Sequence, residues 1–280
     1  MLHENEAAAR LAKLLAGPGM RQSEPCEGKI DLYAEFDGLF RVDAERLLII
    51  NSMDGLMAAT RHDLYPVRAG DKLCGTRVIP LTIEEEKIAE AERAVGSAPL
   101  LSLLPYRPLK AGIVTTGNEV FYGRIQDTFT PVVVEKLKQY GIEPRFFERS
   151  DDNKENIVKA IESVRAQGAE LVICTGGMSV DPDDRTPAAI RDSGARIVTY
   201  GAPVLPGAMF LLGYYEDGTP AMGLPACVMY ADATIFDIIL PRVAAGVRVE
   251  KADIARLGPG GLCLGCKPCR YPACSFGKFA

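Results

Sequence analysis

The sequence has no tryptophan, only two histidines and no long apolar run. A membrane span needs about 18 or more consecutive apolar residues. The longest candidates here, 100–104 and 235–240, are short and interrupted by Ser102 and Asp237. His3 and His62 are too few for a histidine-built metal site. The first ten residues, MLHENEAAAR, contain acids and no apolar stretch, so no secretory leader is expected. Positive charge is not in excess either: 32 Lys+Arg stand against 37 Asp+Glu, a net of −5. Nucleic-acid binding is driven by phosphate neutralisation, and no basic stripe is present. The expectation is a cytoplasmic protein with neither nucleic acid nor membrane as partner. What is present is ordinary for a globular chain, with 48% apolar and 25% charged residues. At about 100–200 residues per domain, 280 residues suggest two domains.

The texture changes along the chain. Residues 5–16 read as an amphipathic helix with Asn5 as N-cap and Gly17 as stop. Residues 30–82 are strand-rich, with turns at Asp37-Gly38, Asp54-Gly55 and Ala69-Gly70-Asp71. Thr82 to Glu85 form a capping box before a helix to about Val95. Residues 98–108 carry three prolines and little periodicity, which places a boundary there. Beyond it, strands over 111–116, 144–150 and 169–175 alternate with helices over 131–140, 152–167 and 186–194. Three more strands and a helix over 228–244 follow. That order predicts an α/β fold: a three-layer αβα unit with a mostly parallel sheet, preceded by a smaller β-rich α+β domain. The divisions are 1–104, 105–246, and a linker and Cys-rich tail over 247–280. Ligands of such sheets lie beyond the carboxyl ends of the strands.

Two strand-end turns there carry the chemistry. In ELVICTGGMSVDPDDRTP, Thr175-Gly176-Gly177 follows a buried strand, Ser179 comes next, and Thr186 caps the following helix. Adjacent glycines let backbone N–H groups approach an anion closely. Asp181, Asp183 and Asp184 share the loop, and acids beside a phosphate cradle imply a bridging cation such as Mg²⁺. In AGIVTTGNEVFYGRIQDTF, Thr116-Gly117 ends a strand, Asn118 and Glu119 follow, and Asp127 precedes a helix. Asp127 has the alternative role of a first-turn cap. Two further turns contain Pro206-Gly207 and Gly223-Leu224-Pro225.

Together these segments resemble the molybdopterin-binding domain of molybdenum-cofactor biosynthesis, over about residues 109–245. TGGMSVDPDDRTP is similar to the TGG…DxTP loop of molybdopterin adenylyltransferases and molybdenumtransferases. TTGNEV with GRIQDTF is similar to the GDEL and GxIxDxN elements. LPG and GLP partly match PGxP and GLPGNP. The resemblance implies molybdopterin, or its adenylate, as ligand, with Mg²⁺ and molybdate. It places Asp184, Glu119 and Asp127 as catalytic acids. It places Thr116, Gly117, Thr175, Gly176, Gly177, Ser179, Thr186, Pro206, Gly207 and Gly223 around the cofactor. A homo-oligomer is expected. The activity implied is Mg²⁺-dependent molybdate insertion with release of AMP. Two alternatives stand beside it: a non-catalytic molybdopterin carrier or sensor, and a nucleotide pyrophosphatase of the competence-damage type. Pro206-Gly207-Ala208 lacks the basic residues suited to an oxyanion, and GLPGNP has become GLPACV. Residues 1–100 resemble the leading half of a subgroup of molybdopterin-binding proteins, with an abrupt start that reads as truncation.

Cysteine is distributed unevenly. Cys26, Cys74, Cys174 and Cys227 are scattered and read as small buried hydrophobes. Cys263, Cys266, Cys269 and Cys274 follow one another as C-x₂-C-x₂-C-x₄-C. Without an export signal a metal site is favoured over disulfides, with an iron–sulfur cluster ahead of Zn²⁺ and a flexible tail of free thiols as the remaining alternative. The glycines at 258, 260 and 261 suggest that this tail folds apart from the domain.

Overall fold

The computed structural model describes residues 1–179 and 184–278. They form two compact units, Met1–Tyr106 and Arg107–Ala280.

In the first unit, helix Glu4–Leu15 buries Ala7, Ala8, Leu11, Ala12 and Leu15. These join Ile30, Leu32, Leu73 and Val78, from strands Lys29–Ala34 and Lys72–Val78, in one core. A four-stranded antiparallel sheet and a three-stranded one, which includes Gly38–Val42 and Leu101–Pro105, frame that core. The helix cap is His3, whose Nδ1 accepts from Asn5 N, and Asn5 Oδ1 instead receives the Gly28 N–H. The expected capping box at Thr82 is absent, because Thr82–Ile83 is a short strand paired with Leu2–His3. Helix Glu85–Val95 begins after Glu84 with no side-chain cap. Helix Ala44–Asn51 was not expected: its LLII run carries no helical period, and the Asp43 cap on Arg46 N is the local signal that starts it.

The second unit holds a six-stranded sheet, ordered 143–150, 110–116, 171–175, 220–224, 211–214, 196–200. The first four strands run parallel, and Leu211–Tyr214 lies antiparallel to both its neighbours. The mostly parallel sheet read from the alternating pattern is therefore present. Val114, Val172 and Cys174 pack with Ile157, Ile161, Val164 and Ile190 of helices Lys154–Ala166 and Thr186–Asp192. Strand alternation turns Ile113, Leu171 and Ile173, equally buried, to the opposite face. Helices Phe129–Lys138 and Ile235–Ala244 are joined by the buried Lys136–Asp237 ion pair.

The helix expected over 228–244 is two elements, a 3₁₀ turn Ala226–Met229 and the helix Ile235–Ala244. Thr234 and Asp237 form a capping box that starts the second. Every residue of Ile235–Ala244 is buried. Part of its cover is the tail: Phe276 is 3% exposed, Tyr271 Oη donates to Asp237 O at 2.9 Å, and Gly277 lies against Ile238. The tail thus packs on the α/β unit instead of folding apart from it. No helix among the described residues is long and apolar enough to cross a membrane.

Candidate functional site

At the carboxyl ends of strands 110–116, 143–150 and 171–175, Thr116 stands beside Ser150 and its neighbour Thr115 beside Thr175. Ser150 O receives the Gly117 N–H at 3.1 Å. Thr116 Oγ1 donates to Thr175 O at 3.1 Å and lies 3.1 Å from Thr186 Oγ1. Three threonines read from two separate motifs are therefore joined, all buried.

The glycines explain how the turns come so close. Gly176 has φ +88°, and a Cβ there would run into the Thr116 carbonyl. Gly177 has φ +54°, and its Cβ would stand 2.8 Å from Thr186 Oγ1. Both need glycine for conformation and space together. Gly117 has φ +131° with open space around it. Gly223 differs, because Met178 packs onto it; it forms the floor under the Gly-Gly turn. Leu211 pairs with Gly223, so the Pro206-Gly207 turn before that strand reaches the same edge of the sheet. Gly207, at φ +128°, packs against Ile235, whose Cγ2 would be 2.5 Å from an added Cβ.

Asp184 Oδ2 accepts the Ser179 N–H at 2.6 Å. Asp181 and Asp183 lie outside the described residues. Tyr200 Oη shares its proton between the carbonyls of Ser179 and Met178, at 3.0 and 3.2 Å. Burial, and then the Asp184 charge, push the Tyr200 hydroxyl above its usual range, so it stays protonated as a donor. Sequence reasoning missed Tyr200; it sits at the end of a strand with no motif around it. Glu119 is exposed on the turn Asn118–Phe121. Asn118 N donates to Asp152 Oδ2 at 3.0 Å, a contact no motif pointed to.

Asp127 is held differently. Its Oδ1 accepts from Phe129 N and Thr130 N at 2.9 and 3.0 Å, and its Oδ2 accepts from the hydroxyls of Thr115 and Thr130. Burial alone would raise its carboxyl, but these four donors outweigh it and hold the group below the ordinary carboxylate range. This is the first-turn cap, and the carboxylate is fully engaged. A depressed folded value contributes stability above the unfolded value, near 3.8, that is lost as pH falls through the folded one. Asp127→Asn is therefore expected to lose stability at neutral pH and to flatten the acid-unfolding limb below pH 3.8. Superimposable wild-type and variant stability curves against pH would contradict the cap.

Among the described residues, no three or more His, Cys, Asp or Glu side chains form a group that could hold a metal ion. Cys263, Cys266, Cys269 and Cys274 are free thiols, the middle two exposed. Cys74 and Cys174 are buried as expected, burial pushing each thiol up to about 12. Cys26 is exposed and Cys227 half-buried, against the expectation that both are core residues.

Residues 112–245 match the family model described as "Probable molybdopterin binding domain". A molybdopterin molybdenumtransferase of Synechococcus elongatus is 26% identical over 145 residues, 49% of this chain and 34% of that protein. A CinA-like protein of a Mycobacterium species is 33% identical over 81 residues, 29% of this chain and 19% of its own. The chain thus spans about a third or less of these relatives' length. Among solved structures, the molybdopterin biosynthesis enzyme MoaB of Thermus thermophilus is 24% identical, covering 49% of this chain and 97% of its own, at TM-score 0.42.

Proposed function

We propose, from the match of residues 112–245 to the molybdopterin-binding family, that the strand-end crevice of the second unit binds molybdopterin or its adenylate. The observation that carries the reading is the Thr175 hydroxyl. Thr175 is 0% exposed, and its Oγ1 has no hydrogen-bond partner among the described residues. It sits between Thr116 and a Gly-Gly turn whose two positive-φ residues bring the backbone close. A buried hydroxyl left without a partner costs about 1–3 kcal/mol, and a polar ligand in the adjoining turn would relieve that cost.

The finer reading is molybdate insertion into adenylated molybdopterin with release of AMP. Mg²⁺ needs only one or two carboxylates when phosphate supplies its other oxygens. Asp184 and Glu119 are the carboxylates suited to it, since Asp127 is committed to its helix. The bound cation would neutralise phosphate charge. The chain's own part is to fix the phosphate and pterin through the 175–179 backbone and to hold Asp184 in place through Ser179 N.

Purified chain incubated with adenylated molybdopterin, molybdate and Mg²⁺ is expected to release AMP only when all three are present. Tight binding without AMP release would overturn the transferase reading and favour a carrier. Thr175→Val supplies a second check. The variant is expected to unfold at or slightly above the wild-type temperature, because the unpartnered hydroxyl is removed. Its molybdopterin affinity should fall roughly 5–10-fold, about one hydrogen bond's worth. Unchanged affinity would remove that hydroxyl from the site.

A further inference from the structure

The C-terminal segment is a loop with its ends tied. Gly277 N donates to Gly260 O at 3.0 Å, and Gly260, at φ +85°, lies where any Cβ would meet the Lys278 carbonyl. Lys278 Nζ reaches back to Pro272 O at 2.6 Å and to Cys274 O. Tyr271 and Phe276, ring centroids 6.0 Å apart, pin the far side to helix Ile235–Ala244. A second tie reaches the candidate site: Leu205 N donates to Gly261 O and Cys263 N to Leu205 O, both at 2.8 Å. Leu205 directly precedes the Pro206-Gly207 turn.

Between these ties the described chain has no helix or strand. It carries four thiols, with Cys263 and Cys274 half-buried and Cys266 and Cys269 exposed. Its charge is one-sided. After Asp253 the sequence contains Arg256, Lys267, Arg270 and Lys278 and no Asp or Glu. Four thiolates around Zn²⁺, or around an oxidised cubane iron–sulfur cluster, make a complex of net charge about −2. A loop rich in cations and free of carboxylates complements that dianion. Tied ends also remove much of the chain entropy that gathering four ligands would cost.

We propose that Cys263, Cys266, Cys269 and Cys274 ligate one thiophilic metal centre, and that the Leu205 bonds make its occupancy felt at the Pro206-Gly207 turn. The thiols are not grouped for an ion among the described residues. Ligation therefore draws the exposed 264–270 segment inward while the ties hold. The proposal is independent of what the crevice binds.

Full-length chain purified anaerobically, and the same chain reconstituted with Zn²⁺ alone or with ferric iron, sulfide and an excess of a small thiol as reductant, is analysed for zinc, iron and acid-labile sulfide. Stoichiometric uptake from one arm is expected, with all four thiols then protected from alkylation. Iron with equimolar sulfide identifies a cluster, and zinc alone a mononuclear site. Cys266→Ser with Cys269→Ser, both exposed and so cheap to replace, should lose the metal while Tm stays at that of metal-stripped wild type. Metal removal should also speed hydrogen exchange at the Leu205 and Cys263 amides more than tenfold, leaving Ile113 unchanged. Substoichiometric metal in every arm, with four freely alkylated thiols, would overturn the site. Unchanged exchange at Leu205 would overturn the coupling.

Discussion

Lys136→Met is expected to lower the unfolding free energy by about 3–5 kcal/mol, the cost of leaving a buried charge without its partner. Lys136 and Asp237 side chains are each 11% exposed and directly paired. Lys136 Nζ also donates to Asp232 O at 3.0 Å. Asp237 does further work, accepting Thr234 N at 2.7 Å and Thr234 Oγ1 at 3.1 Å, which caps the helix that packs against Gly207. Methionine keeps the stem's volume, so the loss isolates charge and hydrogen bonds from packing. Chemical denaturation of both proteins gives the difference directly. A change under about 1 kcal/mol would mean that the pair is solvated, contrary to its burial.

Asp184→Asn is expected to reduce Mg²⁺-dependent AMP release on the order of 100-fold or more, with Tm within a few degrees of wild type. Asparagine keeps an oxygen that can accept the Ser179 N–H, now 2.6 Å from Asp184 Oδ2, so that hydrogen bond is retained. Only the charge that would face a cation is lost. The measurement is turnover at saturating Mg²⁺, and wild-type turnover in the variant would take Asp184 out of the reaction.

The sheet was legible from sequence because its signals were strong. Continuous apolar runs such as LVIC predict strands buried on both faces, and Leu171–Thr175 is buried throughout. The meeting of Thr116, Thr175 and Thr186 was legible only as two turns at strand ends; their hydrogen bonds needed coordinates. Asp127 shows the limit of spacing. Its place before a helix favours a cap over a catalytic acid without excluding the acid, and its four donors show how the cap is made. Tyr200 and the docking of the tail had no local signature. Both depend on contacts between residues distant in the sequence, Tyr200 with Ser179 and Tyr271 with Asp237. In the first unit, Ala44–Asn51 escaped notice because Leu47 to Ile50 form a contiguous apolar run.

Molybdopterin binding is proposed for the turns at Thr116 and Thr175–Ser179 together with Asp184. An anaerobic equilibrium titration of the full chain with molybdopterin, repeated on Gly176→Ala, tests it most directly. The Ala side chain meets the Thr116 carbonyl at φ +88°, a strain worth about 1–3 kcal/mol that displaces the turn. Saturable one-to-one binding by the wild-type chain is expected, with affinity reduced at least tenfold in a variant still folded at the assay temperature. Absence of saturable binding by the folded wild-type chain would contradict it, as would equal affinity in the two proteins.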